Sequence, residues 1–223
     1  LPSLSKAIKK NDKEEIQTTQ NRSLEFCLLI SLPSAVGLYI LSEPIIHILF
    51  ERGTFVSEDT FYTASVLSMF ALGLPAYILI KVLITCFFAR EDTKTPLYVS
   101  IVSVAANIIL SLILIQSMRE MGIAIATAVS AWINAFLLYV ILKMRENITL
   151  DSRLISNGYK IIICSVVMGV VCYFSNLTLF SHMTVYSTIL NIGALTLAVV
   201  INQIIYIVMI FLLKVLTIDE LKG

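Results

Sequence analysis

Residues 97–115 read LYVSIVSVAANIILSLILI and residues 122–142 read GIAIATAVSAWINAFLLYVIL, with the polar turn QSMREM (116–121) between them. Neither run holds a charged residue. Each is close to the roughly 20 apolar residues that carry a helix across the hydrocarbon core of a bilayer. Lipid offers no hydrogen bonds, so an open chain must satisfy its backbone within each segment, and both runs are expected to be helices. The short turn makes them antiparallel neighbours.

Working outward, four more stretches qualify as spans. They cover about Leu24–Leu41, with Pro33 and Gly37 inside; about Phe61–Phe88, with Gly73, Pro75 and Lys81 inside; about Tyr159–Leu179; and about Val185–Leu213. The expected fold is therefore all-α, a polytopic membrane helix bundle of six transmembrane helices. Residues 1–23 form a connecting segment, 24–143 four spans, 144–158 a loop, 159–213 two additional spans and 214–223 a tail. Apart from 1–23 and 144–158, the connections are tight turns. PIIHILF (44–50) reads as a short helix at the membrane interface, with Pro44 suited to its first turn. The chain opens at Leu1 on a basic stretch without a signal-peptide pattern, as a piece of a longer protein would.

Composition excludes the main alternatives. Of 223 residues, 58% are hydrophobic and 14% charged, against about 45–50% and about 25% in soluble domains. The net charge of +1 gives no basic excess for nucleic acid, so no nucleic-acid partner is expected. Cys27, Cys86, Cys164 and Cys172 fall inside apolar runs without a CxxC pair, and His47 and His182 are isolated. No metal site and no disulfide framework is expected.

Orientation follows from Lys and Arg. Six spans place both ends on one side, whose loops carry Lys6, Lys9, Lys10, Lys13, Arg22, Arg90, Lys94, Lys143, Arg145, Arg153, Lys160, Lys214 and Lys222. The other side has Arg52 and Arg119. Basic loops stay cytoplasmic, so both ends are expected in the cytoplasm.

Three groups of polar residues are candidates for function. Lys81 lies nine residues before Arg90 in LPAYILIKVLITCFFAR, well below the surface at about 1.5 Å per residue. A lysine at the bilayer centre costs about 2.5–3.5 kcal/mol. It either snorkels to the interface or faces a water-filled cavity, and Gly73 and Pro75 mark a bend at that depth. Asn107 and Ser111, four apart, share one face of the third span, and Thr127, Ser130 and Asn134 do much the same on the fourth; such residues serve helix–helix hydrogen bonding, or Asn107, Ser111 and Thr127 line a cation or substrate path. No carboxylate stands among them. In the loop after the second span, Arg90, Glu91, Asp92 and Lys94 are either solvated turn charges or a gate that latches one access state. Thr95 is the expected cap of the next helix, with Pro96 at its first position.

The pieces LPSLSK (1–6), LPSAVGL (32–38), LSEPIIHILFERGTF (41–55), LIKVLITCFFAREDTKTP (79–96) and GIAIATAVSAWINAFLLY (122–139) together resemble the MurJ (MviN) family of lipid II flippases. These belong to the multidrug/oligosaccharidyl-lipid/polysaccharide exporter superfamily. The resemblance implies a fourteen-helix transporter of two six-helix lobes plus two C-terminal helices, with this chain covering its ninth to fourteenth helices. It implies translocation of lipid II, an undecaprenyl-pyrophosphate-linked disaccharide-pentapeptide, across the bacterial inner membrane by alternating access. The implied partners are lipid II, membrane lipids and the N-terminal lobe. The last two helices are implied to form a groove for the polyprenyl tail. Lys81 matches a basic position of the family's tenth helix. No cofactor is implied beyond coupling to sodium or the membrane potential; Asn107, Ser111 and Thr127 fall near the family's sodium region, with Ser111 where an acidic ligand is expected. A related polysaccharide-lipid or drug exporter and a non-transporting scaffold are the alternatives. A membrane transferase would need clustered Asp, Glu or His near the surface.

Overall fold

The computed structural model describes residues 13–179 and 188–215. Six helices make up the described residues: α1 (Lys13–Ile40), α2 (Ser42–Phe50), α3 (Ser57–Phe88), α4 (Lys94–Met144), α5 (Ser152–Leu179) and α6 (Thr188–Leu212). All but α2 are long and apolar enough to cross a membrane. The expected Phe180–Thr184 connection and the start of the sixth span at Val185 lie outside the described residues, as do residues 1–12, His182 and 216–223.

The turn at 116–121 is tighter than expected. Helical structure runs on both sides up to Arg119, which alone leaves helical geometry, at φ 48° and ψ −131°. That one residue reverses the chain. A straight helix would hold Asn107 and Ser130 about 34 Å apart, yet Asn107 Nδ2 donates to Ser130 Oγ at 3.1 Å. α4 is thus a hairpin carrying both expected spans. Its arms touch where Gly122 lies against the Leu114 backbone, close enough that a Cβ on residue 122 would fall 2.6 Å from the Leu114 carbonyl oxygen.

Residues 13–23, expected in the connecting segment, are helical and continue into the first span. The loop expected over 144–158 shortens, because α5 starts at Ser152. Pro33 and Pro75 are accommodated inside α1 and α3.

The chain divides into two compact units. Among the described residues, the first comprises 13–31 and 73–158. Its core joins Leu24, Leu83, Cys86, Phe87, Leu138 and Leu142. A second contact brings Ala76 of α3 against Ala131 and Ala135 of α4; alanine lets the two backbones approach.

Among the described residues, the second unit comprises 32–72, 159–179 and 188–215. Ile161, Cys164, Met168 and Cys172 make one buried stripe of α5, and Ala198, Asn202, Tyr206 and Ile210 one of α6, as three- and four-residue spacing requires. PIIHILF is helical as expected, with Pro44 in the first turn of α2, and Pro44, Ile46 and Ile48 buried. His47 is not isolated. Its Nδ1 meets Glu51 Oε2 at 2.7 Å, and the Thr60 hydroxyl donates to the same oxygen at 2.6 Å. The Thr60 hydroxyl first, and His47 second, hold the Glu51 carboxyl below its ordinary range.

Candidate functional site

Lys81 sits on α3 with its side chain exposed, opposite the buried stripe of Ala76, Leu83, Cys86 and Phe87. It is six residues beyond Pro75 and nine before Arg90, about 14 Å along the helix from the latter. An ammonium so placed offers three donors and a charge to whatever the span faces.

Asn107, Ser111 and Thr127 come together. The Asn107 amide donates to Thr127 Oγ1 at 3.2 Å and to Ser130 Oγ at 3.1 Å, and its oxygen accepts from the Ser111 hydroxyl at 3.2 Å. Both amide hydrogens are spent within the hairpin. This is the helix–helix hydrogen bonding that the small, polar faces of the two arms allow.

The loop after α3 is more organised than its sequence shows. α3 and α4 end in the same way. Beyond α3, Glu91 takes φ 62°, its N–H donates to Phe88 O at 3.0 Å and the Asp92 N–H to Phe87 O at 3.1 Å. Beyond α4, Glu146 takes φ 54°, its N–H donates to Lys143 O at 3.0 Å and the Asn147 N–H to Leu142 O at 2.9 Å. Both are Schellman caps with a glutamate in the left-handed position that glycine prefers. Glu146→Gly is accordingly expected to raise stability by about 1 kcal/mol, read as a higher thermal midpoint in detergent.

The two turns, Arg90-Glu91-Asp92 and Arg145-Glu146-Asn147, hold each other. Arg90 donates to Cys86 O at 2.8 Å on its own helix and to Asn147 O at 3.0 Å on the other turn. Arg145 answers by donating to Asp92 Oδ2 at 2.6 Å and Thr95 Oγ1 at 3.0 Å. With its amide oxygen turned to Arg90 (3.2 Å), Gln20 donates to Asn147 O at 3.1 Å. Of the expected gate residues, Arg90 and Asp92 are therefore engaged with the neighbouring loop, while Glu91 and Lys94 are exposed.

The cap of α4 also differs from expectation. Helix geometry starts at Lys94, so Pro96 is third, and Thr95 is capped rather than capping. Asp92 supplies the cap: its carboxylate accepts the Thr95 N–H at 3.0 Å and the Thr95 hydroxyl at 2.6 Å. An ionised carboxylate is the stronger acceptor for an orphaned N–H. The Thr95 hydroxyl, the Thr95 N–H and Arg145, in that order, pull the Asp92 carboxyl from 3.8 to about 2. A carboxyl depressed on folding adds stability above its unfolded pKa and loses it as pH falls through its folded pKa. The stability difference between the native chain and Asp92→Asn is therefore expected to be full at neutral pH and to vanish between pH 3.8 and about 2, as measured by paired thermal midpoints.

Three further side chains of α1 fasten the α4–α5 loop and the start of α5, and sequence reasoning missed them. Asn21 donates to Thr149 O at 2.9 Å. Arg22 pairs with both Glu25 and Asp151. Glu25, buried at 4% exposure, accepts from Asn157 Nδ2 at 2.5 Å. Asp151 caps α5 through the Leu154 N–H. The repeated Arg-Glu-Asp/Asn triplet after two spans is the one sequence signal for this region. Beside it lies a cavity of about 860 Å³ lined by Lys13, Gln17, Arg90, Lys143 and Glu146 among others.

These helices and motifs have close counterparts. The family model described as lipid II flippase MurJ matches residues 1–193. The chain belongs to the MurJ family. The probable lipid II flippase MurJ of Rhizobium tropici is 42% identical over 177 residues, 79% of this chain and 33% of the relative. That of Rickettsia prowazekii is 35% identical over 220 residues, 99% of this chain and 43% of the relative. A solved lipid II flippase MurJ in its inward closed conformation superposes with a TM-score of 0.74 at 28% identity, over 93% of this chain and 40% of that one. The chain thus spans less than half the length of these MurJ relatives. Family membership and the apolar helices make it a multi-pass membrane protein.

Proposed function

We propose that this chain acts as the C-terminal portion of a lipid II flippase, which carries the lipid-linked peptidoglycan precursor across the bacterial inner membrane. The family match supports the substrate. Alternating access of two lobes about a central cavity is the mechanism, with the N-terminal lobe as partner. Both ends of the segment face the cytoplasm, where Lys and Arg gather. No bond is made or broken, so the protein is a transporter rather than an enzyme.

The observation that carries the site is Lys81. An exposed ammonium in mid-span is retained against its insertion cost because it meets the pyrophosphate of the substrate in a wet cavity, by a charge-assisted hydrogen bond. The Arg90–Asn147 and Arg145–Asp92 contacts form the cytoplasmic clasp of this portion and act as its gate.

The test is translocation of fluorescent lipid II by the full-length protein in proteoliposomes. Losing one charged hydrogen bond, Lys81→Ala is expected to slow translocation by about tenfold or more, with Lys81→Arg retaining most of it. Unimpaired transport by Lys81→Ala removes the site assignment. Failure of the native protein to move lipid II removes the function.

A further inference from the structure

Within the first unit, the cavity of about 860 Å³ opens between the start of α1, the end of α4 and the loop into α5. Three cations line it: Lys13 at the start of α1, Lys143 in the last turn of α4, and Arg90 just beyond α3. Glu146 is the one carboxylate among the described lining residues, so two positive charges stand there uncompensated. Lys13 and Lys143 are exposed and make no ion pair among the described residues.

Arg90 carries the argument further. It is half-buried, and each bond it makes goes to a neutral oxygen: Cys86 O at 2.8 Å, Asn147 O at 3.0 Å and the Gln20 amide oxygen at 3.2 Å. No described carboxylate pairs with it. Burial pulls its pKa below the ordinary value, as happens to a cation that has left water without a counter-ion. Such a charge is costly, and the cost falls when an anion arrives. A guanidinium has more N–H groups than these three bonds use, and Arg90 reaches the cavity surface.

We propose that this cavity binds a phosphomonoester, the dianionic phosphate at the end of a membrane lipid or of a small soluble molecule. The group carries about −1.5 to −2 charge near neutral pH, which matches the two uncompensated positive charges; a singly charged phosphodiester leaves one over. Its oxygens accept from Arg90 and from the two ammonium groups. Gln17, Tyr139 and Thr149, also in the lining, add neutral donors. The lining points to the lipid source, because Leu150 and Ile155 stand in it 41% and 48% exposed, apolar surface beside the cations on the side where the basic loops gather. At the roughly 30 Å³ that a water molecule occupies in the liquid, the volume holds about thirty non-hydrogen atoms, room for a phosphate, its glycerol and the first stretch of two chains.

Isothermal titration of the full-length protein in uncharged detergent tests this with dihexanoyl phosphatidic acid, dihexanoyl phosphatidylcholine and glycerol 3-phosphate. Phosphatidic acid is expected to bind about tenfold more tightly than phosphatidylcholine, whose chains are the same. Glycerol 3-phosphate competing as strongly as phosphatidic acid assigns the site to a soluble phosphate; competition weaker by about tenfold or more assigns it to the lipid. Lys13→Gln and Lys143→Gln are each expected to weaken phosphatidic acid about five- to tenfold. Glu146→Gln removes the opposing charge and is expected to tighten it about threefold. Lys160→Gln, outside the lining, is expected to change nothing. Equal affinity for phosphatidic acid and phosphatidylcholine overturns the proposal, as does weaker binding in Glu146→Gln. Equal losses in Lys143→Gln and Lys160→Gln overturn it too, by reducing the effect to the general charge of that side. Displacement of phosphatidic acid by lipid II at equal concentration does the same, by giving the cavity to the transported substrate. Should a lysine variant fail to elute as a single species, the comparison of the two lipids on the native protein decides alone.

Discussion

Glu25→Leu is expected to destabilise the protein by about 3 kcal/mol, the low end of the range for breaking a buried ion pair. Glu25 sits in α1 at 4% exposure and is the hub of the contacts that fasten α1 to the start of α5. Its carboxylate accepts from Asn157 at 2.5 Å, pairs with Arg22 and lies 3.8 Å from Arg153. Leucine fills similar space but gives those donors nothing. The loss stays near the low end because the Arg22 and Arg153 side chains are 31% and 43% exposed and can turn to water. Glu25→Gln keeps an acceptor for Asn157 without the charge and should fall between. Thermal midpoints of the full-length protein in detergent read the series. A Glu25→Leu midpoint equal to the native one would show that the cluster fastens nothing.

Gly122 should be nearly as sensitive, for a steric reason. A Cβ at this position would lie 2.6 Å from the Leu114 carbonyl oxygen, 2.7 Å from its carbon and 2.9 Å from the Leu114 Cβ. Two of those atoms are backbone, so no rotamer change relieves the clash. Overpacking of this kind costs about 1–3 kcal/mol, with Gly122→Ala expected near about 2 and Gly122→Leu at or above the top of that range. The hairpin arms must part, and the bonds from Asn107 to Thr127 and Ser130 lengthen with them. A native thermal midpoint in Gly122→Ala would rule out the close turn at Arg119.

The contacts between the two arginine turns are reciprocal. Arg90 depends on a carbonyl beyond α4, and Arg145 on a carboxylate beyond α3. Neither contact survives displacement of one helix end from the other.

Much of this is legible in the chain itself. The runs at 97–115 and 122–142 carry no charge and are apolar over most of their length, and lipid leaves such runs a single option. PIIHILF reads as a short helix, and Asn107 with Ser111 reads as one polar face of the third span, while the bond from Asn107 to Thr127 appears only in the fold. The cap of α4 is not legible, since Thr95 and Asp92 are both good caps by residue type; the better acceptor wins once Arg145 stands beside it to fix its charge. Residues 13–23 look like a loop because they are polar. They are helical because Ile16 and Leu24 are drawn into a core with Leu83, Phe87 and Leu142, contacts that no local pattern displays.

The sequence by itself determined which segments are apolar enough to leave water and which end of each is basic, because partition into lipid depends on composition over about twenty residues and on nothing distant. Tertiary structure alone decided the partners: Arg145 with Asp92 across 53 residues and Asn157 with Glu25 across 132. Hydrogen bonds and steric gaps are properties of distance in space, which the order of residues along the chain does not encode locally.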